Sequence, residues 1–268
     1  LGPRPIIAAW AGFIFVSGGG IGARIHAGHV EKVLAMPLIP LALAGALKTA
    51  RAETPSRIAF WGMLTGLVSG LTFLAGASYV LLYLLASVPL VLLVVKIGQG
   101  LQTSWRSLVL SLSAWAFGLL LATGGKLAAS ATIMPNTIIH RDPYLGAQDA
   151  YWAVVHLAVP FFRYKTEPWG WWEYSSFIGL IPVALGALAV SVVAIAVLKP
   201  SPSFSIIKTA PREVIALTAV IILGVFWLSN GIWYSPVYWA FEILPKLESF
   251  RIPSRALMIA GPATLALA

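Results

Sequence analysis

The sequence contains no cysteine. Disulfides, CxxC redox pairs and thiolate zinc sites are therefore excluded. The compartment stays open, because a cysteine-free chain fits either side of a membrane. Charge is scarce as well. Only 10% of the 268 residues are Asp, Glu, Lys or Arg, against roughly a quarter in a soluble domain. So few charged groups do not cover a water-facing surface, which excludes a soluble globular enzyme. Disorder is excluded by the opposite property: 59% of residues are hydrophobic and the mean hydropathy is +0.87, whereas a disordered chain needs low hydrophobicity. Acids are scarcest, with nine against 18 bases for a net charge of +9. In a soluble protein that excess points to nucleic acid. Here the bases are scattered through short segments between apolar runs, the pattern that orients membrane proteins, and no nucleic-acid partner is expected.

What the chain does have is apolar runs. A membrane-spanning helix takes about 20 residues. Breaks rich in charge, Gly or Pro divide the sequence into about eight candidate spans: 5–17, 32–47, 58–74, 78–95, 107–122, 176–198, 214–228 and one that begins near Arg255. The expected fold is thus all-α, a polytopic membrane helix bundle with extracytoplasmic loops, and 1–268 forms a single transmembrane domain. The first two runs are short for full spans, which suits tilted, kinked or partly re-entrant helices. The sequence opens Leu1-Gly2-Pro3 without Met and closes inside an apolar run at residues 265–268. No signal peptide precedes the first span, and the chain reads as a piece of a longer membrane protein.

Loop charge sets the orientation. Segments 48–57, 96–106 and 199–212, with Arg4 and the flanking Glu213, carry nine bases and two acids, Glu53 and Glu213. Segments 18–31, 123–175 and 230–254 are longer, and with the flanking Lys32 and Arg255 they mix nine bases with seven acids. Because positive charge in short loops marks the cytosolic side, the long segments 123–175 and 230–254 are expected outside, most simply across a prokaryotic cell membrane. Within the spans, Gly62, Gly66 and Gly70 recur every four residues and predict a close helix crossing. Pro37, Pro40 and Pro182 predict kinks.

Several motifs carry possible chemistry. The run Gly18-Gly19-Gly20-Ile21-Gly22-Ala23 fits GxGxxA, but a dinucleotide site needs a strand and a βαβ unit around it. Here it more simply unwinds the end of the first span. Arg24, His26, His29 and Glu31 cluster at the mouth of a span. Two His without a third ligand make a weak zinc site, so no metal site is assigned, and the cluster reads as substrate pathway or lipid-headgroup contact. The outer segments are rich in Trp and Tyr, among them Trp171, Trp172, Trp233 and Trp239, which serve either as an interfacial belt or as a platform for sugar or lipid. Ser249-Phe250-Arg251-Ile252-Pro253-Ser254-Arg255 places two guanidinium groups just ahead of a span. They act either as snorkelling anchors or as bidentate partners for phosphate. Asp142 and Glu173, in the long outer segment, are either solvated loop charges or groups that hold a sugar hydroxyl or accept its proton.

The order of these features resembles the bacterial and archaeal GT-C class of membrane glycosyltransferases, in particular the YfhO-like branch. Three places carry the resemblance. Gly12-Phe13-Ile14-Phe15, Gly28-His29 and Met36-Pro37-Leu38-Ile39-Pro40-Leu41 are similar to the family's G-x-x-F, Gly-His and W-x-P-L segments. Glu173 through Phe177 to Gly179 is similar to E-x-x-x-Y-x-G. Leu244-Pro245 followed by Phe250-Arg251-Ile252-Pro253-Ser254-Arg255 is similar to L-P…F-R-x-P-x-R. The departures are Met36 where Trp is common and Phe177 where Tyr is common, and they bear on substrate identity.

The resemblance implies transfer of a sugar from a polyprenyl-phosphate donor to a lipid-linked glycan, cell-wall polymer or protein on the outer face. Arg251, Arg255, His29, Glu173, Arg24 and Asp142 would bind substrate. The family's catalytic acid lies in the loop after the first span, upstream of this sequence, so the catalytic residue is unassigned. No cofactor is evident, and dependence on a divalent metal is left open. The alternatives from other classes are a polytopic transporter or lipid flippase and a non-catalytic envelope scaffold. Broken helices and internal repeats favour a transporter, and no internal repeat stands out.

Overall fold

In hydrocarbon every backbone N–H and C=O must find its partner within the chain, so an apolar run has few options besides helix. The computed structural model describes residues 5–17, 21, 25, 30–97, 101–133, 154–155, 157–158, 177–198, 212–228 and 257–267. Among these there are no strands. The helices are α1 (Pro5–Ser17), α2 (Val30–Ala35), α3 (Leu38–Arg51), α4 (Pro55–Leu74), α5 (Ser78–Ile97), α6 (Leu101–Ile133), α7 (Leu180–Leu198), α8 (Arg212–Ile222) and α9 (Leu257–Leu267). From α8 the chain runs on as a π-helical stretch, Leu223–Leu228.

Four of these segments are long and apolar enough to cross a membrane: Val30–Arg51, Pro55–Leu74, Val80–Ile97 and Trp105–Lys126. The first of them joins α2 and α3. The other apolar runs are helical as well, but α1, α8 and α9 have only 13, 11 and 11 residues, and α7 contributes the shorter apolar stretch Leu180–Val192.

Prolines explain some of the helix ends. Pro55 opens α4 at its first position, where the missing N–H has no partner in any case. The expected break at Pro37 occurs: Met36 and Pro37 form a turn, and α3 starts at Leu38 with Pro40 still in its first turn. Pro182 does not kink a helix as expected. The helix begins only at Leu180, so Pro182 falls in the first turn, where the lost donor breaks no bond. The fifth apolar run, expected over 107–122, is part of the longer α6. Polar residues do not end it. Thr123 returns its hydroxyl to Leu119 O at 2.8 Å, and Ala128, Ala129 and Ala131 follow in a sequence that favours helix. Residues 123–133, assigned above to an outer loop, are thus helical.

The described chain forms two compact units, where the sequence suggested one domain. One holds α2 to α6. At its centre α4 and α6 run parallel and almost touch. A Cβ on Gly62 would lie 2.7 Å from Ala114 Cβ. Gly66 faces the backbone of Trp115, Gly118 and Leu119, Gly70 faces Ala122, and Gly118 in turn faces the backbone of Met63. The expected glycine ridge is therefore the seam of this unit. Helix α3 packs antiparallel on α4, where Gly45 admits Thr65: a Cβ there would sit 2.5 Å from Thr65 Oγ1.

The seam is lined by hydroxyls that cost little to bury because each bonds its own helix. Thr65 donates to Trp61 O at 2.7 Å, Ser69 to Thr65 O at 2.8 Å, and Ser111 to Ser107 O at 2.7 Å. Two longer contacts link helices. Thr49 Oγ1 and Thr65 Oγ1 lie 3.4 Å apart, and Trp115 Nε1 donates to Ser69 Oγ at 3.4 Å. Large apolar side chains point outward instead, among them Leu41, Phe60, Leu71, Phe117 and Leu120. Glycines and hydroxyls along the seam, with large apolar side chains on the outer faces, form the arrangement that lipid, not water, solvates.

The other unit holds α1, α7, α8 and α9. Here α7 and α9 meet at Gly186, where a Cβ would lie 2.6 Å from Thr264 Cγ2. Thr264 returns its hydroxyl to Ala260 O at 2.8 Å.

Candidate functional site

The six residues expected to bind substrate, Arg24, His29, Asp142, Glu173, Arg251 and Arg255, all lie outside the described residues, as does His26. The structure describes the segments that flank them.

The second and third motifs, around Glu173 and Arg255, lead into the unit of α1, α7, α8 and α9. After Glu173 the chain reaches Phe177, Ile178 and Gly179 and then enters α7. Gly179 has φ +105°, a left-handed conformation that favours glycine. The turn is pinned by Leu157 O, which accepts hydrogen bonds from Ile178 N at 2.9 Å and Gly179 N at 3.2 Å. After Arg255 the chain enters α9 at Leu257. These two entrances come together. A Cβ on Gly261 would lie 3.6 Å from Ile178 Cγ2 and 3.9 Å from Leu157 Cδ2. An apolar groove of 590 Å³ runs beside this contact, lined by Trp10 and Ile14 of α1, Ile178, Pro182 and Leu185 at the start of α7, and Leu265 of α9. Its volume is that of a small-molecule site, and its lining suits a hydrocarbon chain.

The first motif leads into the other unit, for α2 follows directly on His29. Glu31 packs against the turn between α4 and α5: a Cβ on Gly76 would lie 3.1 Å from Glu31 Cβ, and Gly76 has φ +93°. Lys32, in the same turn of α2, is buried. Lys126 arrives at this end from α6 and donates to Phe73 O at 2.6 Å, with its ammonium 4.6 Å from the Phe73 ring centroid. A cation there neutralises the carbonyl end of α4. Sequence reasoning missed this contact. Its one signal was a lone cation behind Gly124-Gly125, in a stretch assigned to a loop. Among the described residues no three His, Asp or Glu side chains converge.

The opposite end of the same bundle is basic. Lys48 and Arg51 close α3, Arg57 opens α4, Lys96 closes α5 and Arg106 stands near the start of α6, with Glu53 the acid among them. Lys96 Nζ donates to Ala52 O at 3.1 Å, tying the α3–α4 turn to the end of α5. Among the described residues this end carries five bases and one acid, and the other end Lys32 and Lys126 with Glu31. The positive-inside rule then predicts Glu53 in the cytosol and Ala128, exposed on α6, outside. With no native cysteine, Glu53→Cys and Ala128→Cys test this directly. In intact cells a membrane-impermeant maleimide is expected to label Ala128→Cys, and to label Glu53→Cys only after permeabilisation. Equal labelling of both before permeabilisation would refute the orientation.

No protein-family model, curated protein or solved structure matches the chain.

Proposed function

We propose that the chain belongs to the membrane domain of a GT-C-like glycosyltransferase of the YfhO-like kind. It spans a prokaryotic cell membrane about eight times, its long segments lie outside, and it passes a sugar from a polyprenyl-phosphate donor to a lipid-linked glycan, cell-wall polymer or protein. The observation that carries this reading is the contact of Ile178 with Gly261. It joins the helix entrances that follow the Glu173 and Arg251–Arg255 motifs, at the edge of an apolar groove. In this reading the isoprenoid chain lies along Trp10, Ile14 and Leu185, and Arg251 and Arg255 are the residues assigned to bind its phosphate.

A general base, not assigned to any residue of this sequence, takes the proton of the acceptor hydroxyl, and that oxygen attacks the anomeric carbon. The bond from that carbon to the phosphate oxygen breaks, and polyprenyl phosphate leaves with its charge held by the two Arg. His29 and Glu173 are assigned to the sugar or acceptor, and Arg24 and Asp142 to substrate binding.

The test is turnover of a radiolabelled polyprenyl-phosphate sugar by the full-length protein in proteoliposomes. Label is expected to move to an acceptor in the extracted membrane fraction. Movement of intact donor between leaflets without cleavage would identify a flippase instead, and neither cleavage nor movement would leave a scaffold.

A further inference from the structure

We propose that the α3–α4 hairpin carries a binding site for one anionic phospholipid, with the headgroup at Lys48 and Arg57 and the acyl chains along Leu41, Phe60 and Leu64. The site depends on membrane residence and not on transfer chemistry.

Lys48 Nζ lies 4.2 Å from the centroid of the Trp61 ring. Trp61 is one turn from Arg57 on α4, and Lys48 is in the last turn of α3, so both cations belong to one end of the hairpin. Both are exposed. The indole face attracts the ammonium and fixes its position. An ammonium has three N–H donors, and a ring on one side leaves donors for a phosphate oxygen. Arg57 presents a guanidinium fork that matches phosphate geometry.

Below this charged edge the same faces turn apolar. Residues 57, 60, 61 and 64 recur at helical spacing on α4 and form one stripe. In it Phe60 is 61% exposed and Leu64 38% exposed, and Leu41 on α3 is 57% exposed. Phe60 meets Trp61 edge to face with ring centroids 5.2 Å apart, which gives the chains a stiff flank. Cations above and hydrocarbon below complement a phospholipid with net negative charge. A zwitterionic lipid offers the same chains but brings its own cation to the basic edge.

Native mass spectrometry of the detergent-purified chain tests the site, with phosphatidylglycerol and phosphatidylcholine of identical acyl chains as probes. The first phosphatidylglycerol is expected to bind at least tenfold tighter than phosphatidylcholine. The double variant Lys48→Gln, Arg57→Gln is expected to lose about thirtyfold for phosphatidylglycerol, the sum of two juxtamembrane cations, and to keep its phosphatidylcholine binding. Retained phosphatidylcholine binding shows that the variant is folded, and Lys126→Gln at the other end is the matched control with no change. Equal affinity for the two lipids would overturn the proposal, as would a double variant that binds like wild type. Competition by inorganic phosphate at the same concentration as lipid would also overturn it, because the site would then be a general anion site without a role for the chains.

Discussion

Gly66→Leu and Gly118→Leu are each expected to lower the melting temperature of the detergent-solubilised protein by about 10 °C, a loss of about 3 kcal/mol. At both positions the atom that a new Cβ meets is backbone: Trp115 O and Leu119 N for Gly66, Met63 O for Gly118. A side chain in the way can change rotamer, but a carbonyl held in a helix moves only with its helix. Accommodating Leu therefore separates α4 from α6 along the seam, and the separation also pulls Trp115 Nε1 away from Ser69 Oγ. In lipid no hydrophobic force draws the helices back together, since the tails are as apolar as the new side chain. Gly124 and Gly125 on the same α6 have nothing within 4 Å of a built Cβ. Gly124→Ala and Gly125→Ala are expected to be neutral or to stabilise by up to about 1 kcal/mol through helix propensity alone. Fluorescence-detected size exclusion after a temperature series reads all four variants. Wild-type melting of Gly66→Leu would mean that α4 and α6 do not approach as described.

That seam was legible in the sequence because three glycines at a spacing of four leave little else for the helix face to do. Helix α1 was legible to the residue, and α5 nearly so, since an apolar run bounded by polar residues in a membrane chain has one regular solution. Both ends of α6 and the start of α7 were not. Apolarity marks where lipid lies, whereas a helix continues as far as its hydroxyls and its cations find carbonyls. Thr123 and Lys126 do so, and α6 runs on to Ile133. Pro182 was misplaced for a related reason: the effect of a proline depends on its distance from the helix start, and the start was set at Ser176 instead of Leu180.

The candidate site was legible only as chemistry. Residue type and order pointed to Arg251, Arg255, His29 and Glu173, but nothing in a sequence shows which distant segments meet. The contact of Ile178 with Gly261 comes from the structure alone, and so does the placing of Lys48 over Trp61. Lys48 had counted only as one more positive charge in a short loop. Its specific role depends on a ring thirteen positions away that is brought alongside by the antiparallel hairpin.

Arg251→Gln with Arg255→Gln is expected to reduce kcat of sugar transfer at least about 100-fold while the protein still inserts. Insertion is expected to persist because the two changes leave the basic residues Lys48, Arg51, Arg57, Lys96 and Arg106, on which the positive-inside orientation rests, untouched. Loss of a donor that stabilises developing charge typically removes 10²–10³ in kcat. Charge on the leaving phosphate grows as the bond to the anomeric carbon breaks, so kcat and kcat/KM are expected to fall together with KM nearly constant. The conservative change separates this role from anchoring at the interface. Lys snorkels as well as Arg, so Arg251→Lys with Arg255→Lys restores an anchor fully. It restores phosphate recognition only in part, because an ammonium replaces a bidentate fork with a point charge. Partial recovery by Lys with none by Gln is the expected pattern. Full activity in the Gln pair, or full recovery by Lys, would remove the two guanidinium groups from the chemistry and leave them as membrane anchors.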